Sequence, residues 1–230
     1  MEKISYIVPT LNEIHNIDLT IDKIEWVSNN LNIDYEIICI DGFSSDGTVE
    51  KIKNNKNFNK IKLQNQINLN GPSHAIMQGI VIVNGNYILI LDADNPINEN
   101  CLKNLILKRS INRLVIGSRF LKNSSIVNVS KLKIIFSVFF SIIISAILKK
   151  KIKDTSHSLR IFPNHIKFIA TNPLHPFFFW ENTIFCKRKG LEIFEIPIKY
   201  TERTNGVSKL SNYKLLKNTI KSIYSLIKIL

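Results

Sequence analysis

Acidic residues are the scarce class in this chain: 18 Asp and Glu stand against 31 Lys and Arg, a net charge of +13. An excess of that size suits an anionic partner, either a phosphate-bearing substrate or a membrane surface, or else a solvated lysine-rich exterior. The basic residues form no nucleic-acid-binding motif, so nucleic acid is not an expected partner. Glycine and proline are few, at eight and seven, which leaves little room for long disordered linkers. The three cysteines, Cys39, Cys101 and Cys186, lack metal-ligand spacing and read as reduced thiols of a cytosolic compartment. No His-x-x-x-His pattern occurs, so no zinc site is expected. The chain does not open on a basic stretch and an apolar core, so no secretory signal is expected. There is no internal repeat.

What is present is apolar sequence in short bursts. At 230 residues, 45% hydrophobic and 21% charged, the chain suits one globular domain with a short appendage. Buried strands are predicted at Ile4–Val8, Tyr35–Ile40, Ile61–Leu63, Tyr87–Leu91 and Leu114–Ile116. Helical spacing is predicted over 14–30, 49–54, 73–83 and 98–110. Apolar strands alternating with helices imply an α/β fold, a Rossmann-like, mostly parallel sheet with helices on both faces. Ligands bind such sheets beyond the carboxyl ends of the strands. Three polar segments fall there: Pro9–Glu13, Asp41–Thr48 and Asp92–Asn95.

Asp92 and Asp94 directly follow the strand Tyr87–Leu91. Two carboxylates so placed can converge on one hard cation, Mg²⁺ or Mn²⁺, with substrate phosphates completing its shell. Alone, such a pair is as readily a turn. Glu13 has a similarly plain alternative, an acid favoured by a helix N-terminus.

Taken together the motifs point further. Ile7-Val8-Pro9-Thr10-Leu11-Asn12-Glu13 follows the first strand, and Asp41-Gly42-Phe43-Ser44-Ser45-Asp46-Gly47-Thr48 the second. Asn70-Gly71-Pro72-Ser73-His74-Ala75 and Gly85-Asn86-Tyr87 precede Asp92-Ala93-Asp94. This set resembles the family 2 glycosyltransferases, which have a GT-A fold and a metal-dependent nucleotide-sugar site. The resemblance implies donor contacts from Pro9, Thr10, Glu13, Asp41, Asp92 and Asp94, with the metal on Asp92 and Asp94 and a catalytic part for Asp94. Asp46-Gly47-Thr48 would shape the loop and start a helix. Gly42 and Phe43 stand where the family has Asp and Gly.

Further motifs are similar to the dolichol-phosphate mannose synthase group. They are Gly117-Ser118-Arg119-Phe120, Asp154-Thr155-Ser156-His157-Ser158-Leu159-Arg160, Glu195-Ile196-Pro197-Ile198 and Arg203 to Leu210. His157-Ser158-Leu159 replaces that group's Ser-Gly-Phe, and the Gln-x-x-Arg-Trp motif of processive polysaccharide synthases is absent. The resemblance implies an inverting hexosyltransferase acting on a polyprenyl or dolichyl phosphate, with mannose from GDP-mannose as the leading donor. Alternatives are UDP-glucose or another nucleotide-sugar, a non-lipid glycan acceptor, or a non-catalytic membrane-associated scaffold. An acceptor phosphate is already ionised at neutral pH, its second pKa being about 6. Cations that place two anions together are then needed more than a base. Arg119, Arg160, Arg203 and Lys209 are the candidates, the three arginines also as catalytic residues. Each can instead pair with Asp154, Glu195 or Glu202. Glu181 is a candidate to position the acceptor loop.

Ile134–Leu148 carries no charge and is flanked by Lys131, Lys133, Lys149, Lys150, Lys151 and Lys153. As a helix it would run ~22 Å, short of a bilayer core of about 30 Å. Ser137, Ser141 and Ser145 recur every fourth residue, a polar stripe for packing against the protein. An interfacial or shallowly inserted helix within 130–153 is expected, on the cytoplasmic face of a membrane. A buried core helix is the alternative. The catalytic domain is expected over 1–210. Residues 211–230 follow as an amphipathic helix with Leu216, Ile220, Ile223, Ile227 and Leu230 on one stripe.

Overall fold

The computed structural model describes residues 2–67, 71–94, 97–166, 168–171 and 177–201. Arg203, Lys209 and the helix expected over 211–230 lie outside the described residues. In chain order, β1 (Lys3–Thr10), α1 (Ile17–Asn30), β2 (Asp34–Asp41), α2 (Thr48–Lys53), β3 (Ile61–Asn65), α3 (Pro72–Val81) and β4 (Tyr87–Ile90) form the first half. Then come α4 (Glu99–Leu107), β5 (Arg113–Ser118), β6 (Ser125–Val127), α5 (Lys131–Ile147), β7 (Arg160–Pro163), α6 (Phe177–Arg188), β8 (Glu192–Pro197) and β9 (Lys199–Thr201).

Seven strands make one sheet in the order β3-β2-β1-β4-β7-β5-β8, and β6 pairs with β9 in a small second sheet. All pairings in the large sheet are parallel except those of β7, which runs antiparallel to both β4 and β5. The mostly parallel sheet was expected; the antiparallel β7 was not read as a strand at all.

Strand alternation builds two apolar layers. Ile4, Tyr6 and Val8 of β1 meet Ile17, Ile21 and Ile24 of α1 on one face, while Ile7 meets Ile76 and Ile80 of α3 on the other. The four- and three-residue spacing of Ile17, Ile21, Ile24 and Val27 therefore reads directly as the buried face of α1. Cys39 and Cys186 are buried free thiols, and burial pushes both up to about 12, which leaves them inert at neutral pH.

The amino edge of the sheet is closed by a buried carboxylate. Glu36 accepts from Ser5 Oγ at 2.6 Å and from the Asn84 N–H at 2.6 Å, and pairs with Lys62 at 2.8 Å. Gly85 donates its N–H to Ser5 Oγ. A Cβ at Gly85 would lie 2.7 Å from the Ser5 backbone nitrogen, so only glycine allows the Gly85-Asn86 turn to enter β4 this closely. That motif is architectural, at the opposite end of the sheet from the polar loops.

Candidate active site

Parallel strands present their carboxyl ends at one edge of the sheet. Thr10 of β1 and Asp41 of β2 are register partners there. Both are buried, with 3% and 1% exposure. The Asp41 carboxylate accepts from Ser44 N–H at 2.8 Å and Ser44 Oγ at 2.5 Å. Asn12, at φ 52°, donates its N–H to Ser44 Oγ, and its Oδ1 accepts from the Ser45 N–H. Glu13 N–H donates to Thr48 Oγ1, and Asp46 accepts from the Ile14 and Thr48 N–H groups. Burial alone would raise the Asp46 carboxyl; these bonds outweigh it and lower it. Pro9, Thr10, Glu13 and Asp41 are thus brought together at the strand ends from which two cross-linked loops leave. The Glu13 carboxylate accepts from Asn16 Nδ2 at 2.9 Å, at the entry to α1.

Asp92 and Asp94 leave β4 at the same edge. Both are partly exposed, with buried Ala93 between them. Thr20 of α1 holds the Ala93 carbonyl at 2.7 Å. Among the described residues no cluster of three or more His, Cys, Asp or Glu could hold a metal by itself. A pair of half-open carboxylates fits Mg²⁺ or Mn²⁺ of the kind whose shell substrate phosphates complete. It does not fit a closed structural site.

The loop before β7 arrives beside this pair for a topological reason. An antiparallel strand presents its amino end where its parallel neighbours present their carboxyl ends. Ile90 pairs with Arg160, so residues 154–159 land against Asp92. Ser158 Oγ donates to Asp92 Oδ2. The sequence reading missed this contact; Ser158 stood out only as the residue replacing a glycine.

Of the expected acceptor cations, Arg119 lies at this edge, just after β5. Its Nε and Nη2 donate to the two Asp154 oxygens at 2.7 and 3.0 Å, and Nη2 also to Ser156 Oγ at 2.9 Å. The ion-pair alternative is therefore realised with Asp154, which is fully buried. Burial would raise that carboxyl, but the Arg119 guanidinium outweighs it and holds it down to about 2. Glu195 of β8 accepts from the Lys153 and Asp154 N–H groups at 2.8 and 2.9 Å, and burial raises its carboxyl.

Arg160 departs from its expected phosphate contact. Its side chain has 0% exposure. Nη1 donates to Phe179 O, Asn182 Oδ1 and Thr183 Oγ1, and Nη2 to Thr155 O and His157 O. Burial lowers its pKa to about 9, so it remains a cation at neutral pH. It braces the loop 155–159 from beneath, because its place on β7 turns it toward α6 instead of the open edge. Glu181 of α6 accepts from the Thr171 N–H and Oγ1, both at 2.8 Å, and so ties down the segment 168–171.

The serine stripe of α5 faces this loop. Ser141 accepts from the Thr155 N–H at 3.0 Å, Ser145 Oγ donates to the Ile152 carbonyl and accepts from the Ile152 N–H, and Ser137 accepts from Arg119. Phe140 stacks on Trp180 of α6 at 3.9 Å. On the outer side, Leu132, Ile135, Val138, Phe139 and Ile142 are all exposed. Among the described residues no helix is long and apolar enough to cross a membrane.

Comparison with known proteins bears on this arrangement. The dolichol-phosphate mannosyltransferase of Pyrococcus furiosus is 27% identical over 98% of this chain and 64% of that protein. A dolichyl-phosphate beta-glucosyltransferase of Trichomonas vaginalis is 26% identical over 90% of this chain and 66% of that protein. The chain thus spans just under two thirds of the length of both relatives. Glucosyl-3-phosphoglycerate synthase of Mycobacterium tuberculosis, crystallised with Mn²⁺, uridine diphosphate and glucosyl-3-phosphoglycerate, superposes with a TM-score of 0.69 at 16% identity. That match covers 99% of this chain and 79% of the synthase. Mannosyl-3-phosphoglycerate synthase of Rubrobacter xylanophilus superposes at 0.68 with 13% identity, over 99% of this chain and 75% of that one. These likenesses establish the GT-A fold. The model of Glycosyl transferase family 2 matches residues 5–166, and the chain belongs to that family.

Proposed function

We propose that this protein transfers a hexose, with inversion, from a nucleotide-sugar to a polyprenyl or dolichyl phosphate at a membrane surface. The observation that carries the reading is the meeting of Asp92-Ala93-Asp94 with the loop 154–159 at one sheet edge, joined by Ser158. A donor diphosphate and an acceptor anion can be held there side by side. The Pyrococcus and Trichomonas relatives support a dolichyl-phosphate acceptor. GDP-mannose is the leading donor, and the Trichomonas relative favours glucose as the second.

Pro9, Thr10, Glu13 and Asp41 receive the base and ribose, and Asp92 and Asp94 face the diphosphate. Asp92 and Asp94 would hold a divalent cation, which would supply positive charge against the departing diphosphate. The acceptor oxygen is ionised at neutral pH. It attacks the anomeric carbon from the face opposite the diphosphate; the new carbon–oxygen bond forms as the old one breaks, and its electron pair leaves with the diphosphate. Orientation is the protein's main task. Arg119 and Arg160 serve it by shaping loop 154–159, while Arg203 and Lys209 receive the acceptor phosphate. The exposed apolar face of α5, with lysines at both ends, rests on the membrane, so that the phosphate meets the site while its chain stays in lipid.

The test is transfer itself. Full-length protein is incubated with Mn²⁺ or Mg²⁺, polyprenyl phosphate in vesicles, and labelled GDP-mannose or UDP-glucose in parallel, then extracted with organic solvent. Label in the organic phase is the expected result, falling roughly a hundredfold in Asp94→Ala. No labelled lipid from these or a broader donor panel overturns the reading; undiminished transfer by Asp94→Ala removes the metal assignment.

A further inference from the structure

Phe43 sits in a conformation that costs the fold something and is not repaid by packing. Its φ is 63°, the left-handed region, where a bulky side chain is strained and glycine is not. Its side chain is 55% exposed, so burial does not offset the strain. The conformation is not a loose-loop accident. On one side, Gly42 donates its N–H to Thr10 O at 2.8 Å. On the other, Ser44 is bonded to Asp41 and to Asn12, and Ser45 to Asn12 Oδ1. An aromatic ring is therefore held rigidly outward, two residues beyond Asp41 at the carboxyl end of β2. Persistent strain in an over-determined loop is a mark of a ligand-contacting position.

The sheet order says which end of the ligand this is. β2 lies across β1 from β4, while the loop bearing Ser158 lies on the other side of β4. Phe43 thus stands at the side of the donor site away from the acceptor loop. Neither Gly42 nor Phe43 offers a side-chain hydrogen-bonding group, so recognition there works through a flat apolar face. We infer that Phe43 is a donor-binding contact whose ring stacks on the nucleobase of the donor. This rests on the nucleotide-sugar reading above. Every base has a π-face, and aromatic rings bind bases through it without reading hydrogen-bond edges.

Calorimetric titration of the full chain in Mn²⁺ with GDP, UDP and inorganic pyrophosphate tests it, using wild type, Phe43→Gly and Phe43→Trp. Phe43→Gly should weaken the tighter nucleotide about tenfold. Pyrophosphate, which has no base, should bind as before, and the Tm should not fall, since glycine relieves the strain. Phe43→Trp should keep wild-type affinity. Unchanged nucleotide binding by Phe43→Gly, or an equal loss for pyrophosphate, overturns the stacking role and leaves the donor reading standing. Wild type that binds neither GDP nor UDP nor any nucleoside diphosphate of a broader panel overturns both.

Discussion

At the scale of single residues, arginine is the instructive type. Arg119 and Arg160 sit in similar-looking motifs, yet one lines an open edge and the other is sealed under α6. Asp154 has 0% exposure, so its charge depends on Arg119. Arg119→Met would leave that carboxylate buried and largely uncompensated, a loss of about 3 kcal/mol and of roughly 6–12 °C in Tm for a domain this size. Thermal unfolding followed by circular dichroism checks it; a shift of under about 2 °C would mean the pair contributes no more than a surface bridge. Asp41, Asp92, Asp94 and the ion pair were all legible as motif residues. The enclosure of Arg160 was not, because a motif names a residue without saying which face of its strand it occupies. Ser158 was illegible for another reason: its partner Asp92 is distant in sequence and adjacent only through β7.

At the scale of elements, α5 was read well and β7 not at all. The helix was expected over 134–148 and runs Lys131–Ile147. Its serine stripe does pack on the protein, since four-residue spacing places Ser137, Ser141 and Ser145 on one face. β7 is a four-residue strand, Arg160-Ile161-Phe162-Pro163, too short for any period to emerge. α6 is buried on nearly every side, which erases the one-faced pattern that marks a surface helix. The outer face of α5 yields a prediction at this scale. Ile135, Phe139 and Ile142 are 62%, 52% and 63% exposed, so replacing all three with Asp should alter folding stability little. Sedimentation with anionic vesicles should fall several-fold, because apolar insertion is lost and acids oppose the surface potential. Vesicle binding equal to wild type would sink the interfacial role.

At the scale of the whole molecule, the hydrogen-bonded and ion-paired carboxylates set the response to acid. Asp154 is held down to about 2, and Asp46 and Glu36 are lowered as well. A carboxyl whose folded pKa lies below its unfolded value stabilises the fold above the unfolded pKa, and that stability is lost as pH falls through the folded one. Asp154 alone accounts for about 2 kcal/mol. Glu195, raised by burial, acts in the opposite sense and recovers part of the loss. The urea midpoint should therefore hold from pH 7 to about 5 and drop between about pH 4 and 2. A midpoint flat across that lower range would contradict the placement of these groups.

The antiparallel β7 has a consequence for how the chain comes together. Without it, the large sheet would fall into two separate pieces, β3-β2-β1-β4 and β5-β8. Every strand of the first lies within residues 3–90, so it can assemble early. β7 joins them by pairing Ile90 with Arg160 and Ile116 with Arg160. During synthesis the amino-terminal piece leaves the ribosome first. Asp41, Asp92 and Asp94 can therefore be in place before the loop that completes the cleft, 154–159, has been made.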